Sequence, residues 1–376
     1  MCNRNPTKEK RMMLLIGWLA FAFITIQFMV SLVNLLFAER MKAPTTPTDD
    51  FISILIPARN EAQNIERLIK DVLDQPYNHF ELIICDDQSE DDTPGIVRRY
   101  ASNDRRIRLI QSEKLPKGWL GKNHACHLLS QHATGQYLLF LDADVRIQGN
   151  IIARCIAHCK KHHLSLLSIF PKQQMHSWGE KITVPVMNYI LLSLLPLWLV
   201  RKSAFTSLAA ANGQFMFFRA ATYYTMDPHT RVKASKVEDI AIARLFKANH
   251  HPVSCQLGNE QVTCRMYTSG HEAVNGFSKN VTAFFGNSLV VSILFWLITT
   301  LGFLLVFASF PGELVFAFVL LYLSTRVCVS FQSKQNIVEN VLFIIPQQVS
   351  LGLFIYFSFA NNLKKQHQWK GRNIIC

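Results

Sequence analysis

The chain has 376 residues, of which 49% are hydrophobic, and a formal net charge of +13 at pH 7. This length and composition suit one catalytic domain plus membrane segments and exclude a simple soluble protein. Lys and Arg are spread along the chain without a dense basic block or a basic and aromatic stripe. That pattern favours a membrane surface and an anionic substrate as partners over nucleic acid. Nine cysteines without the spacing of a disulfide framework indicate a reduced, cytosol-facing domain.

An uninterrupted apolar segment at residues 12–37 predicts an uncleaved membrane anchor, which we assign to residues 1–42. The basic residues Arg4, Lys8, Lys10 and Arg11 precede it. By the positive-inside rule alone, they would place the N-terminus in the cytoplasm and the following domain outside. Residues 43–50 predict a Pro/Thr linker, and the folded domain begins at Phe51.

Strand and helix patterns alternate from residue 51 onward. Apolar runs predict strands at residues 51–56, 80–85, 106–110, 137–145 and 164–170. Helical patterns are found at residues 61–74, 93–100, 122–132, 150–161 and 237–249. This series predicts an α/β fold with a mostly parallel sheet and right-handed crossovers.

The strand at residues 137–145 is predicted to be central, buried and open to a cleft at its carboxyl end. Side chains at i and i+2 of an extended segment point the same way, so Asp142 and Asp144 are expected to face one site. Two adjacent carboxylates repel, which favours a Mg²⁺ or Mn²⁺ ion between them and a phosphate-bearing substrate. The alternative is a solvated acidic turn after a strand.

Two further loops follow predicted strands at the same edge of the sheet. Residues 57–61 follow the first strand, and residues 86–92 follow the second. A capping box of Ser89 and Asp92 at the next helix accounts for part of the second loop but leaves Asp86 and Asp87 unexplained.

Lys122 stands in the first turn of a predicted helix, after Gly118, Trp119 and Gly121. A cation there opposes the helix dipole, so the position favours binding of an anion at this helix terminus. A plain surface lysine is the alternative.

The C-terminal half is rich in apolar segments. Residues 184–200 are apolar but interrupted by prolines, which predicts an interfacial helix presenting a lipid acceptor, with a buried core helix as the alternative. The region 288–363 holds predicted spans at residues 289–310 and 314–331 and a weaker one at 341–360. Because the tail at 364–376 is basic, we expect two spans plus a re-entrant or interfacial segment.

Taken in order, these motifs resemble the family 2 glycosyltransferases with the GT-A nucleotide-sugar-binding fold. The motifs are Pro57-Ala58-Arg59-Asn60-Glu61, Asp86-Asp87-x-Ser89, Gly121-Lys122-x-x-Ala125, Asp142-Ala143-Asp144 and Val237-Glu238-Asp239. The resemblance covers residues 51–287. Three further motifs narrow it: Cys264-Arg265-Met266-Tyr267, Glu272-Ala273-x-x-Gly276-Phe277-Ser278-Lys279-Asn280 and the tail Trp369-Lys370-Gly371-Arg372. They are similar to the membrane branch that glycosylates carotenoid or hopanoid-type lipids, and especially to the diaponeurosporenoate glycosyltransferases.

The resemblance implies a role for each matching residue. The uracil and ribose of a UDP-sugar would be held by Pro57, Arg59, Glu61, Asp86 and Asp87. Asp144, with Asp142, would hold the metal on the diphosphate, and Asp239 matches the general base. The chain departs from the family at residues 223–229, where the family usually has a glycine pair ahead of the histidine that corresponds to His229.

The residues around Asp239 support a reaction by inversion. Ser235 and Glu238 fit a capping box, which leaves Asp239 as the freer carboxylate to take the acceptor proton. Lys122 and the metal would stabilise the departing diphosphate. An acceptor hydroxyl needs such a base, whereas a carboxylic acid with a pKa of roughly 4 to 5 is already ionised, so the intact pair favours an alcohol acceptor.

These inferences predict a membrane enzyme that moves a sugar from a nucleotide-sugar to a membrane lipid. The alternative enzyme uses polysaccharide or polyprenyl-phosphate acceptors. A catalytically dead adaptor of the same fold would be expected to lose carboxylates from the cleft, and all are present. Because nucleotide sugars are made in the cytosol, we expect the catalytic domain of this multi-pass protein to face the cytosol, against the charge rule.

Overall fold

The computed structural model describes residues 6–39, 41–42, 49–364, 368–369 and 372–373. The predicted linker at 43–48 and the basic residues Arg4, Arg40, Lys365 and Lys370 lie outside the described residues. The strands are β1 Ile52–Ala58, β2 Phe80–Asp86, β3 Ile107–Gln111, β4 Tyr137–Leu141, β5 Val145–Ile147, β6 Leu166–Phe170, β7 Lys172–Gln173, β8 Phe215–Arg219, β9 Val253–Leu257, β10 Val262–Cys264, β11 Gln368–Trp369 and β12 Arg372–Asn373.

The helices run from the N-terminal anchor to the C-terminal region, with 3₁₀ turns at Thr206–Leu208 and Val281–Phe285. They are α1 Pro6–Leu36, α2 Ile65–Leu73, α3 Thr93–Asn103, α4 Gly121–His132, α5 Ile151–His162, α6 Trp178–Thr183, α7 Pro185–Leu194, α8 Leu197–Lys202, α9 Ala220–Met226, α10 Pro228–Arg231, α11 Glu238–Ala248, α12 Gly270–Phe277, α13 Leu289–Ser309, α14 Gly312–Gln332, α15 Ile337–Leu342 and α16 Ile344–Lys364.

The chain forms two compact units. The sheet unit takes its described residues from 39–174, 197–266 and the strands β11 and β12, whereas the helical unit takes them from 6–38, 175–196 and 267–364. Residues 175–196 and 267–287 thus pack with the apolar helices, although the sequence assigns them to the catalytic domain at 51–287. The predicted bounds of the catalytic domain, residues 51–287, and of the membrane regions on either side of it stay a prediction.

The sheet unit is built on a seven-stranded sheet in the order β3-β2-β1-β4-β8-β6-β9. Neighbouring strands are parallel except that β8 runs antiparallel to both β4 and β6. Every residue of β4 is buried, as its continuous apolar sequence predicts for a central strand. The expected α/β fold with a mostly parallel sheet is confirmed.

The predicted central strand is shorter than its sequence pattern suggests. It ends at Leu141, and the chain turns so that the N–H of Val145 donates to the carbonyl of Asp142 at 3.1 Å. β5 then joins a second small sheet in the order β5-β10-β7. Asp142 and Asp144 therefore lie in a turn and not on one extended face, which corrects the geometric reason given for their proximity.

The single helix predicted at residues 184–200 is wrong, because the structure has two helices there. Helix α7 ends at Leu194, and Leu195 is extended, with φ −119° and ψ 115°. The residue before a proline is driven out of the helical region by the proline ring, and Pro196 follows directly. α8 begins after this break at Leu197.

Three helical segments of the helical unit are long and apolar enough to cross a membrane: Lys10–Leu36, Leu289–Ser309 and Gly312–Gln332. Their length and composition indicate membrane association. They match the predicted anchor and the first two predicted C-terminal spans. Helix α16 covers most of the weaker third segment and has Gln347 and Gln348 buried near its start.

Candidate active site

The two loops after β1 and β2 are joined by hydrogen bonds. Nη1 of Arg59 donates to the carbonyls of Asp87 and Gln88 at 2.7 and 2.8 Å. The register of β1 on β2 places Ala58 opposite Asp86 and Pro57 opposite Cys85. Both loops therefore lie side by side at the carboxyl edge of the sheet, where ligands bind in open α/β folds.

The acidic residues of these loops are held in place by neighbouring donors. Oδ1 of Asp87 accepts from the hydroxyl of Ser112 at 2.8 Å, and Oδ1 of Asp86 accepts from the N–H of Ser89 at 3.3 Å. Oε2 of Glu61 accepts from Nδ2 of Asn64 at 2.8 Å. Asp86 and Asp87 are buried at this edge of the sheet.

The capping box expected at the start of α3 does not form. The hydroxyl of Ser89 accepts from the N–H of Asn60 at 3.0 Å, which ties the two loops together. The residue preceding α3 is Asp92, whose side chain makes no capping bond. Ser89 therefore links the two loops and does not cap the helix, because the N–H of Asn60 takes the acceptor that a cap would need.

Lys122 lies at the centre of a cluster of carboxylates. Its Nζ is 2.8 Å from Oδ1 of Asp142 and 3.1 Å from Oε1 of Glu238, and it donates to the carbonyl of Gly213 at 3.3 Å. Burial lowers the pKa of Lys122, but Asp142 and Glu238 outweigh it and hold that pKa well above its ordinary value. The lysine is therefore charged and engaged by the protein's own carboxylates.

Asp144 lies beside uncharged partners, Gln214 and Cys264. Nε2 of Gln214 donates to its two oxygens at 3.3 and 3.4 Å and lies 2.9 Å from Sγ of Cys264. Burial raises the pKa of Asp144 to about 7, and the charges of Asp142 and Glu61 add to the effect. The turn that holds these carboxylates therefore has an excess of negative charge.

Asp239 lies in the first turn of α11 and accepts two backbone hydrogen bonds. Its Oδ2 accepts from the N–H of Gly213 at 2.9 Å, and its Oδ1 accepts from the N–H of Ile240 at 2.7 Å. Burial raises the pKa of Asp239 to about 7, and Glu238 adds to this shift. A carboxylate with that pKa is poised to take a proton near neutral pH.

The capping box predicted for Ser235 and Glu238 is also wrong. The residue preceding α11 is Val237, and no side chain caps the helix. The carboxylate of Glu238 lies beside Lys122 instead. Lys122 carries a full positive charge, which attracts this carboxylate more strongly than the partial charge of a backbone N–H does.

The tripeptide Asn212-Gly213-Gln214 joins these groups and is not among the motifs predicted from the sequence. The N–H of Gly213 bonds Asp239, its carbonyl accepts from Lys122, and the carbonyl of Gln214 accepts from the N–H of Asp142 at 3.1 Å. A Cβ on Gly213 would lie 2.9 Å from Oε1 of Glu238. The sequence feature that could have indicated this segment is a glycine between two side-chain amides, Asn212 and Gln214, directly before the apolar strand β8.

The segment that departs from the family pattern buries its histidine. Nδ1 of His229 is 2.6 Å from the hydroxyl of Tyr223, and burial lowers the pKa of His229 to about 3. Asp227 adopts φ 40° and ψ 59°, a left-handed conformation that glycine reaches most easily and that Asp tolerates better than most residues. In this structure His229 is thus a neutral, buried side chain.

A divalent cation fits Asp144 better than it fits Asp142. Magnesium and manganese prefer oxygen ligands and are commonly bound by one or two carboxylates together with substrate phosphates. The neighbours of Asp144 are the uncharged Gln214, at 3.3 and 3.4 Å, and Cys264, whereas Asp142 is already paired with the charged Lys122. In the described part of the chain, no group of three or more His, Cys, Asp or Glu residues is arranged to hold a metal ion.

Comparisons with known proteins identify the family. The family model for glycosyl transferase family 2 matches residues 53–215, which contain the two loops, Lys122 and the Asp142-Ala143-Asp144 turn. Residues 53–215 therefore carry a family 2 glycosyltransferase domain.

Curated relatives and one solved structure agree with this assignment. A 4,4'-diaponeurosporenoate glycosyltransferase of Staphylococcus haemolyticus is 25% identical over 254 residues, covering 65% of this chain and 64% of the relative, so that alignment leaves out more than a third of the relative. One of the same description from Staphylococcus aureus (strain N315) is 24% identical, covering 94% of this chain and 97% of the relative. One solved structure has the same fold: the mannosyltransferase PcManGT from Pyrobaculum calidifontis, in complex with GDP-Man and Mn²⁺. The two chains are 16% identical and superpose with a TM-score of 0.51. The match covers 92% of this chain and 99% of the mannosyltransferase. The predicted GT-A fold is confirmed.

Proposed function

We propose that this glycosyltransferase moves a sugar from a nucleotide-sugar to a carotenoid-type membrane lipid with inversion at the anomeric carbon. The arrangement of Lys122, Asp142, Glu238 and Asp239 around Gly213 carries the proposal. It puts one charged amine and one carboxylate of pKa about 7 at the same carboxyl edge of the sheet. Inverting transfer needs both kinds of group, a cation on the leaving-group side and a base on the acceptor side.

The donor would lie across the two loops after β1 and β2. Pro57, Arg59, Glu61, Asp86 and Asp87 are the residues proposed to hold its base and ribose. Arg59 supports this site by fixing the loop carbonyls of Asp87 and Gln88. A UDP-sugar is the proposed donor.

Asp144 is the residue proposed to hold a Mg²⁺ or Mn²⁺ ion, with Asp142 beside it. When bound, the ion would neutralise charge on the diphosphate of the donor. Lys122 would share that task as the sugar leaves, because its amine is charged and lies at the N-terminal end of α4. The mannosyltransferase with the same fold was solved with Mn²⁺, which supports the proposal.

Asp239 is the proposed base. Two backbone N–H groups orient its carboxylate, and its raised pKa lets it accept a proton near neutral pH. An acceptor hydroxyl must lose a proton as it attacks, so this environment favours a hydroxyl acceptor. The relatives are named for 4,4'-diaponeurosporenoate, a carboxylate, so the linkage in the product distinguishes the two.

Transfer assays on membranes containing the full chain test the function. Membranes with the parent chain, Asp239→Asn or the exposed control Asp74→Asn receive radiolabelled nucleotide-sugars and a carotenoid extract. We expect a labelled lipid from the parent and the control and a large loss with Asp239→Asn. Mild alkali then separates a stable glycoside from a labile glycosyl ester. No labelled lipid with any donor would refute the function.

A further inference from the structure

A cluster of polar side chains inside the helical unit is centred on Arg326 of α14. This arginine is only 3% exposed. Its guanidinium carbon lies 3.6 Å from the ring centroid of Tyr189 on α7. Nη1 donates to Oε1 of Gln347 at 3.2 Å, and Nη2 donates to the hydroxyl of Tyr322 at 3.3 Å. All three partners are neutral, so the positive charge of Arg326 is not offset by them.

Arg326 has no carboxylate partner in the described part of the chain. By contrast, the buried Arg59 lies 3.5 Å from Oε1 of Glu90. Arg326 stands within α14, one of the helices long enough to span a membrane, six residues before its end at Gln332 and therefore about 9 Å from that end. A charged side chain at such a depth is costly unless it is paired, and it commonly marks a ligand site.

The same cluster has more hydrogen-bond donors than acceptors. Nε2 of Gln347 donates to Oδ1 of Asn340 at 3.0 Å, and Nδ2 of Asn340 donates to Oε1 of Gln335 at 2.9 Å. At the two ends of this chain of side chains, Nε of Arg326 and Nε2 of Gln335 are buried and have no hydrogen-bond partner among the residues that the structure describes. Water would supply acceptors but no charge. An anion supplies both.

We propose that Arg326 and the side-chain amides beside it bind the anionic head group of a membrane lipid. The head group is a carboxylate or a phosphate, either of which offers oxygen acceptors and a negative charge to the guanidinium. Its apolar tail would lie along the apolar helices of the same unit. All of these residues belong to the helical unit, so the proposal stands independently of sugar transfer.

Thermal unfolding of the purified full chain in a neutral maltoside detergent tests the proposal. Retinoic acid and retinol share one polyene and differ in the carboxylate, while phosphatidylglycerol and diacylglycerol differ in the phosphate group. We expect at least one anionic probe to raise Tm by roughly 3 °C or more at saturation, with no shift from its neutral counterpart. A shift with retinoic acid identifies a carboxylate ligand, and a shift with phosphatidylglycerol identifies a phosphate ligand.

Three variants distinguish loss of the charge of Arg326 from loss of folding. Arg326→Gln should abolish the shift and, without ligand, have a Tm at or above that of the parent, because an uncompensated buried charge is removed. Arg326→Lys should keep part of the shift. The control Lys181→Gln should keep all of it, since Nζ of Lys181 already lies 2.6 Å from Oε1 of Glu339 in the same unit.

Three outcomes would overturn the proposal. They are no shift with either anionic probe, equal shifts with each anion and its neutral counterpart, and a shift that survives in Arg326→Gln. Where Arg326→Gln does not fold, the matched pairs of probes on the parent chain still decide the question.

Discussion

The backbone N–H of Gly213 donates to Oδ2 of Asp239 at 2.9 Å, and the carbonyl of the same glycine accepts from Nζ of Lys122. One residue without a side chain thus contacts the proposed base, Asp239, on one side and the proposed leaving-group cation, Lys122, on the other. Its lack of a Cβ is what allows the approach, since an added Cβ would lie 3.1 Å from Nζ of Lys122.

Gly213→Ala should therefore lower turnover without unfolding the protein. The added methyl group displaces Glu238 and Lys122, and small displacements of reacting groups cost roughly tenfold to a hundredfold in rate. Steady-state kinetics and Tm are the measurements. Gly312→Ala is the control, because a Cβ there meets no atom within 4 Å. Parent-like turnover in Gly213→Ala would show that the close approach does not matter.

Asp239→Asn should lower turnover by roughly a hundredfold or more and leave donor binding nearly unchanged, as expected for a group that acts in the transition state. In the parent, Asp239 must be ionised to accept a proton, so turnover should rise with pH through about 7 and then level off. The pH profile of kcat checks this, and the acid limb should be absent in the residual activity of the variant. A flat profile in the parent would argue against Asp239 as the base.

Asp144→Asn should weaken binding of the nucleotide-sugar and remove its dependence on metal. The parent should lose affinity when EDTA is added, whereas the variant should show little further change. Because a proton competes with the metal for a carboxylate of pKa about 7, metal-dependent affinity should increase as the pH rises through that value. Calorimetric titration with UDP-sugar and Mn²⁺ measures this. Equal affinity in the parent with metal, the parent with EDTA and the variant would contradict the metal role.

The sheet unit should lie in the cytosol despite the basic residues before α1, because the donor is made there and cannot cross the bilayer unaided. The side chain of Asp49 is fully exposed, and the cysteines within the described residues are all buried. A single Asp49→Cys probe, with Cys2 and Cys376 changed to Ser, should react with an impermeant maleimide only after the cells are permeabilised. Reaction in intact cells would place the sheet unit outside.

The sequence by itself determined the alternation of strands and helices, the position of the acidic loops at strand ends and the apolar helices. These features depend on the spacing of apolar and polar residues within a short stretch of chain, which can be read from the sequence alone. For that reason β1, β2 and α4 lie within two residues of their predicted bounds.

Only the tertiary structure decided which groups meet in the site. Lys122 meets Glu238 across 116 positions of sequence, and Gly213 reaches Asp239 across 26, through the packing of α4, β8 and α11. The same competition from distant partners drew Ser89 and Glu238 away from the caps that their local spacing predicted. A hydrogen-bonding side chain takes the strongest partner within reach, and reach is set by the fold and not by distance along the chain.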